Sequence, residues 1–168
     1  MEYIESGMDF SPLFIHDNSI YIEKSMFRKK LDVGVKTVEF ISLQSKHKLC
    51  FIEAKTSAPN PNNPDNKDNV NNYYQDILEK IQHSLDLFVS KEVCINEDSE
   101  NEFPAQLANV KIAEQKIIFI LVIKNHKKEW CSDVLDFLHR RLIALKKIWK
   151  TDIAVLNSDV ARKKKIIL

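Results

Sequence analysis

Val38-Glu39-Phe40-Ile41 and, after a short polar interval, Phe51-Ile52-Glu53-Ala54-Lys55 decide how this chain is read. Residues 35 to 44 and 48 to 55 are rich in Val, Ile, Phe and Leu, which fit a pleated, half-buried surface. Ser45-Lys46-His47 between them suits a tight connection, so the pair reads as a β-hairpin. With the turn centred near Lys46, Glu39 lies directly across from Glu53, and Lys55 points to the same side as Glu53 because strand side chains alternate. Facing residues on neighbouring strands have Cβ atoms only about 5 Å apart. Two carboxylates that close repel unless one is protonated or a cation lies between them, and a hard, oxygen-ligated ion such as Mg²⁺ suits the pair.

The surrounding residues place this cluster deep in the molecule. Leu49 and Phe51 share the face of Glu53 and Lys55, Ile41 and Leu43 share that of Glu39, and Val38, Phe40, Cys50, Ile52 and Ala54 line the opposite face. Both faces are apolar, so the hairpin is expected to be central and covered on both sides. Charges at the end of such a strand are costly unless paired or metal-bound. The competing reading is an ion-pair network of Glu39, Glu53 and Lys55 without chemistry.

An acidic residue on one hairpin strand followed by an E-x-K triplet on the next, here Glu39 and then Glu53-Ala54-Lys55, resembles the signature of the PD-(D/E)XK nuclease superfamily. The resemblance covers the hairpin and a compatible order of elements from about residue 19 to 124, with Glu39 where Asp is commoner and no Pro before it. It implies a restriction-endonuclease-like fold in which Glu39, Glu53 and the Ala54 carbonyl hold Mg²⁺ or Mn²⁺. It also implies that Lys55 orients or activates the attacking water in phosphodiester hydrolysis. Many members carry a Gln or Lys on the following helix that reaches the site, a part for which Gln75 is the first candidate and Gln82 the second.

The chain has 168 residues, 44% hydrophobic and 29% charged, as expected for one folded domain spanning residues 1 to 168. The longest apolar run, Ile117 to Ile123, is far too short to span a bilayer, and Met1-Glu2-Tyr3-Ile4-Glu5 is acidic and unlike a signal peptide. A cytoplasmic protein is therefore expected. Cys50, Cys94 and Cys131 show neither a disulfide framework nor zinc-type spacing.

Residues 1 to 18 are expected to be irregular or to carry a helical turn, with a first strand over Ser19 to Lys24 and a turn capped by Ser25. The Pro/Asn-rich stretch from Ala58 to Asn66 can continue neither strand nor helix and lies at the mouth of the site. From Asp68 to Ser90, Val70, Tyr73, Tyr74, Ile77, Leu78, Ile81, Leu85 and Phe88 recur at helical spacing. The acidic segment Glu97 to Glu102 reads as a solvated loop, and Ile117 to Ile123 as a buried strand. A second helix is expected from Ser132, as N-cap, to Trp149, with Val134, Leu135, Leu138, Leu142, Leu145, Ile148 and Trp149 inward. A short strand over Asp152 to Leu156 and a basic tail follow. The order predicts an α/β fold with a mixed β-sheet flanked by helices.

The net charge of +1 conceals an asymmetry: residues 58 to 102 carry ten acidic and three basic side chains, residues 124 to 168 five acidic and twelve basic. Arg140, Arg141, Lys146, Lys147, Lys163 and Lys164 are the candidate contacts to a phosphate backbone. With only Gly7 and Gly34, neither a P-loop, a dinucleotide-binding G-x-G-x-x-G nor a G-x-S-x-G elbow exists, and no H-E-x-x-H occurs. The expected activity is a metal-dependent nuclease acting on nucleic acid, DNA ahead of RNA, as a homodimer or a subunit of a larger complex and without a membrane. The resemblance implies a setting in bacterial anti-phage defence or nucleic-acid processing. The alternative is an inactive nuclease-fold interaction domain within a larger complex.

Overall fold

The computed structural model describes residues 2–168. Seven strands run β1 (Ile4–Glu5), β2 (Met8–Asp9), β3 (Ser19–Tyr21), β4 (Phe40–Ser45), β5 (Lys48–Lys55), β6 (Lys116–Ile123) and β7 (Asp152–Asn157). The α-helices are α1 (Met26–Lys29), α2 (Lys67–Glu92), α3 (Ala105–Ala108), α4 (Cys131–Arg141), α5 (Ile143–Trp149) and α6 (Ser158–Lys163). β1 and β2 form a small hairpin, and the other strands form a five-stranded mixed sheet in the order β3-β4-β5-β6-β7. The chain is α/β, as its pattern predicts.

β3, β4 and β5 make an antiparallel meander, after which β6 pairs parallel with β5 and β7 parallel with β6. A parallel step needs a long crossover; α2 supplies the first, and α4 with α5 the second. Both crossovers move the same way across the sheet, so the right-handed rule puts their helices on one face. Phe51 and Phe119 of the sheet accordingly pack with Phe88 of α2 and Val134 and Leu138 of α4. Phe40, Cys50, Ile52 and Ala54 face the other way, against Met8, Phe10, Leu13, Ala161, Ile166 and Ile167. The N-terminal hairpin and the C-terminal segment thus form a third layer, joined where Leu168 N–H donates to the Asp9 carbonyl at 2.9 Å.

Several local expectations are corrected. Residues 2 to 18 carry the expected helical turn, a 3₁₀ turn at Ser11–Phe14, but also the unexpected β1–β2 hairpin. The first sheet strand ends at Tyr21, and Ile22–Lys24 turns as 3₁₀, with Glu23 N–H donating to the Glu39 carbonyl at 3.5 Å. Val38 joins the α2-side core with Ile41, because it precedes β4 and escapes the strand's alternation. The second long helix is two helices: Leu142, at φ −96° and ψ 15°, breaks it, and Ile148 is 73% exposed. Ser132 is inside α4 rather than its cap, its hydroxyl donating to the Glu129 carbonyl. The basic tail includes the end of a helix, α6, whose last residue is Lys163.

The acidic loop does structural work. Glu102 accepts from Met26 N and Phe27 N at 2.9 and 2.7 Å, satisfying free donors of the first turn of α1, while Asp98 accepts from Glu102 N and Phe103 N. Ser25 caps α1 as expected, accepting from Arg28 N. Among the described residues no helix is long and apolar enough to cross a membrane.

Candidate functional site: a buried carboxylate and ammonium cluster

β4 stops at Phe40, which faces Ile52, so one further step outward sets Glu39 against Glu53. The strand's end leaves the backbone of Ala54 without a β4 partner. Glu39 Oε2 takes up the Ala54 N–H at 2.6 Å, and the Ser6 hydroxyl of the N-terminal hairpin donates to the Ala54 carbonyl at 3.2 Å. Glu39 and Glu53 are 4% and 2% exposed, so neither carboxylate is hydrated as a surface group would be.

Two ammonium groups converge on the pair. Lys55 Nζ lies 2.9 Å from Glu53 Oε1, and Lys80 Nζ, from the middle of α2, lies 3.0 Å from Glu53 Oε1 and 3.3 Å from Glu39 Oε1. Both ammoniums stand at hydrogen-bond distance from Glu53 Oε1, while Glu53 Oε2 is buried without a hydrogen-bond partner among the described residues. Glu53 is therefore held through Oε1 by two ammoniums, and Oε2 keeps coordination capacity to spare. Asp76, one helical turn before Lys80, sits 3.3 Å from Lys55 Nζ and 3.1 Å from Lys36 Nζ, and Lys36 also meets Glu79 at 2.8 Å. On the other side, carboxylate oxygens of Glu5, Glu23 and Glu39 come within 4.8 Å of one another. Lys24 pairs with Glu5 at 2.8 Å and Lys80 with Glu23 at 3.5 Å.

The connected network sets six carboxylates (Glu5, Glu23, Glu39, Glu53, Asp76, Glu79) against four ammoniums (Lys24, Lys36, Lys55, Lys80), an excess of two negative charges. Glu39 responds by holding a proton: burial first, then the neighbouring Glu53 charge, pushes its carboxyl up to about 9. Burial works to lower the Lys80 and Lys55 pKa values, but Glu53 outweighs it, joined by Glu39 for Lys80 and by Asp76 for Lys55, and both ammoniums end above their ordinary value. Asp76 is shifted the other way: burial opposes its charge, yet Lys36 and Lys55 hold its carboxyl below the usual range.

The hairpin residues named from the sequence, Glu39, Glu53, Ala54 and Lys55, are brought together. The helix residue that reaches them is Lys80. Gln75 is exposed and its amide donates to Glu79 Oε1 at 3.2 Å, while Gln82 donates to Asp86 Oδ1 at 2.9 Å, so both are turned away from the carboxylate pair. Asp76, Lys80 and Ser84 were missed, although their spacing of four residues places them on one helical stripe beside the apolar face. Glu5 and Glu23 had no such signal, since only tertiary packing brings their loops to Glu39.

The basic candidates divide between layers. Arg140, Arg141, Lys146 and Lys147 lie on or beside α4 and α5, where Arg141 donates to Asn71 Oδ1 of α2 at 3.2 Å. Lys163 and Lys164 lie at the end of α6, whose Ala161 packs into the opposite core. All except the half-buried Lys146 are exposed. No protein-family model, curated protein or solved structure matches the chain.

The donor set suits a hard divalent cation. It offers carboxylate oxygens at Glu39 and Glu53, a carbonyl with a free lone pair at Ala54, and an uncompensated negative charge. The Glu39 proton marks where a cation's charge would be felt most, because a bound cation and that proton relieve the same repulsion.

Proposed function

We propose that this protein is a Mg²⁺- or Mn²⁺-dependent nuclease with a restriction-endonuclease-like fold, akin to the PD-(D/E)XK superfamily. The observation that carries the reading is the convergence of Glu39, Glu53 and Lys55 at the open end of β4 and β5, with Glu53 Oε2 buried and lacking a hydrogen-bond donor among the described residues. The strand order supports it as well: an antiparallel meander bearing the acidic pair, a helical crossover, then a parallel strand beside the E-x-K strand.

Glu39, Glu53 and the Ala54 carbonyl would hold the ion, with Glu23 near enough to Glu39 to add a carboxylate. When bound, the ion supplies Lewis acidity, lowering the pKa of a bound water and neutralising charge on the phosphoryl group. The protein's own part is electrostatic. Lys55, fixed between Glu53 and Asp76 and kept protonated by them, donates hydrogen bonds and so orients water or a phosphate oxygen rather than removing a proton. Lys80 keeps Glu39 and Glu53 from repelling each other before the ion arrives. The substrate is nucleic acid, DNA ahead of RNA, bound through the basic α4–α5 layer by a homodimer or within a larger complex, in phage defence or nucleic-acid processing.

One observation favours a second reading, that of an interaction domain without catalysis: the Lys80 ammonium already stands between the two carboxylates. A single set of measurements separates the two. The wild-type protein should bind Mn²⁺ in titration calorimetry and cut single- or double-stranded DNA or RNA only with Mn²⁺ or Mg²⁺. Glu53→Ala should abolish both, and Lys55→Ala should retain Mn²⁺ binding yet lose at least about 10²-fold in cleavage. Wild-type protein that takes up no Mn²⁺ and leaves all four substrates intact sinks the nuclease reading.

A further inference from the structure

On the α2 face of the sheet, at the same end of β5 as Lys55, lies a cavity of about 350 Å³ that the cluster does not use. Its apolar wall is Ala58, Pro61 and Val134, and its polar lining includes His126, Trp130 and Asp133. Such a volume falls in the roughly 300–1,000 Å³ range of small-ligand sites. The cavity is tied to the candidate site by backbone: the Lys55 and Thr56 carbonyls accept from Lys124 N and Asn125 N at 2.9 and 2.8 Å, and His126 follows at once. Its other wall is pinned by α2, where the Tyr73 and Tyr74 hydroxyls donate to the Ser57 and Pro59 carbonyls at 2.9 and 3.2 Å. Both walls are therefore set in place before anything binds.

The lining has the chemistry of a base-binding site. Trp130 is 49% exposed, unusual for so large an aromatic, and meets the His126 ring edge-on with centroids 5.5 Å apart. His126 Nε2 is buried without a hydrogen-bond partner among the described residues. Lys127 Nζ lies 5.0 Å over the Trp130 ring, a cation beside the aromatic platform. At the rim stands the exposed carboxylate of Asp133, an acceptor for two parallel N–H groups.

We propose that this cavity takes an unpaired guanine of a single-stranded nucleic acid, packed against Trp130 and His126 and read by Asp133. Guanine alone among the bases presents two adjacent donors, N1–H and the N2 amino group, on its Watson–Crick edge. Cytosine, adenine and uracil each set a lone-pair acceptor beside their donor, which a carboxylate repels. An edge available to Asp133 belongs to a base that is not paired, so the substrate is single-stranded at this position. The assignment rests on the nuclease reading for placing the neighbouring phosphate near Lys55; the base recognition itself does not.

The test is fluorescence anisotropy in EDTA with the full chain and three labelled probes: an oligothymidine carrying one central guanine, the same strand with inosine, which lacks the N2 amino group, and plain oligothymidine. The guanine strand should bind about tenfold tighter than oligothymidine, with inosine between them. Asp133→Asn should erase that preference, and Trp130→Ala should weaken binding of the guanine strand about tenfold, as expected for removing one stacked base. Both positions are exposed, so both variants should fold; circular dichroism checks this. Equal affinity of the wild type for all three strands, or an unchanged preference in Asp133→Asn, overturns the proposal. Because no metal is present, the outcomes separate. Cleavage without guanine preference removes the cavity's role alone, and guanine preference without cleavage removes the nuclease reading alone.

Discussion

Glu39 is the residue on which the electrostatics turn. Its native pKa of about 9 lies above its ordinary 4.5, so between those values the folded protein holds a proton that the unfolded chain has released. The sign follows: this contribution to stability is complete below pH 4.5 and is lost as pH rises toward 9, at up to about 1.4 kcal/mol per pH unit for one proton. Urea unfolding in EDTA should show stability declining from pH 6 to pH 9, and Glu39→Gln, neutral throughout, should flatten that decline. A wild-type profile as flat as the variant's would mean that Glu39 is already ionised. Mn²⁺ binding near pH 7 should in turn release about one proton, measurable from the buffer dependence of the binding enthalpy.

α2 acts as the support of the cluster. It carries Asp76 and Lys80 to the carboxylates, and one turn later Ser84, fully buried, fastens the segment that leads into β4. The Ser84 hydroxyl accepts from Val38 N at 2.8 Å and donates to the Lys80 carbonyl at 2.7 Å, tying Val38, and through it Glu39, to the turn that bears Lys80. Ser84→Ala leaves the Val38 N–H buried and unpaired, at a cost of about 1–3 kcal/mol. Chemical denaturation should register that destabilisation. A looser approach of Glu39 to Lys80 should also lower Mn²⁺ affinity, while Gln82→Ala, at a half-buried position turned away from the carboxylates, should change neither.

At the scale of the whole molecule, the basic residues decide how a nucleic acid approaches. Arg140, Arg141 and Lys147 are exposed on the layer that also carries α2, whereas Lys163 and Lys164 belong to the layer on the far face. Replacing Arg140, Arg141, Lys146 and Lys147 with Gln should weaken binding to duplex DNA and reduce its salt slope by about 0.9 for each phosphate no longer neutralised. Replacing Lys163 and Lys164 should leave the slope unchanged if the substrate stays on the α2 face. Binding measured from low to moderate salt checks both, and equal effects from the two sets would place the substrate across an edge of the sheet. Thermal stability should hardly move in either variant, since exposed charges contribute about 0–1 kcal/mol each.

The hairpin register was legible in the chain because period-two alternation and a polar turn leave a single way to bury Leu49, Phe51 and Ile52. From that register the meeting of Glu39, Glu53 and Lys55 follows. The α2 periodicity was legible for the same reason, as was the continuous apolar run of β6, whose two faces both enter cores. Tertiary structure alone decided which polar residues join the cluster. Lys80 and Asp76 lie on a stripe beside the apolar face of α2, and only the packing of α2 on the sheet turns that stripe to the carboxylates in preference to Gln75. Glu5 and Glu23 arrive from a hairpin and a 3₁₀ turn that carry no periodic signal, placed by the packing of Met8, Phe10 and Ile22. The break at Leu142 was equally hidden: its apolar spacing continues across the two helices, and a backbone angle set by packing against the sheet leaves no mark on that pattern.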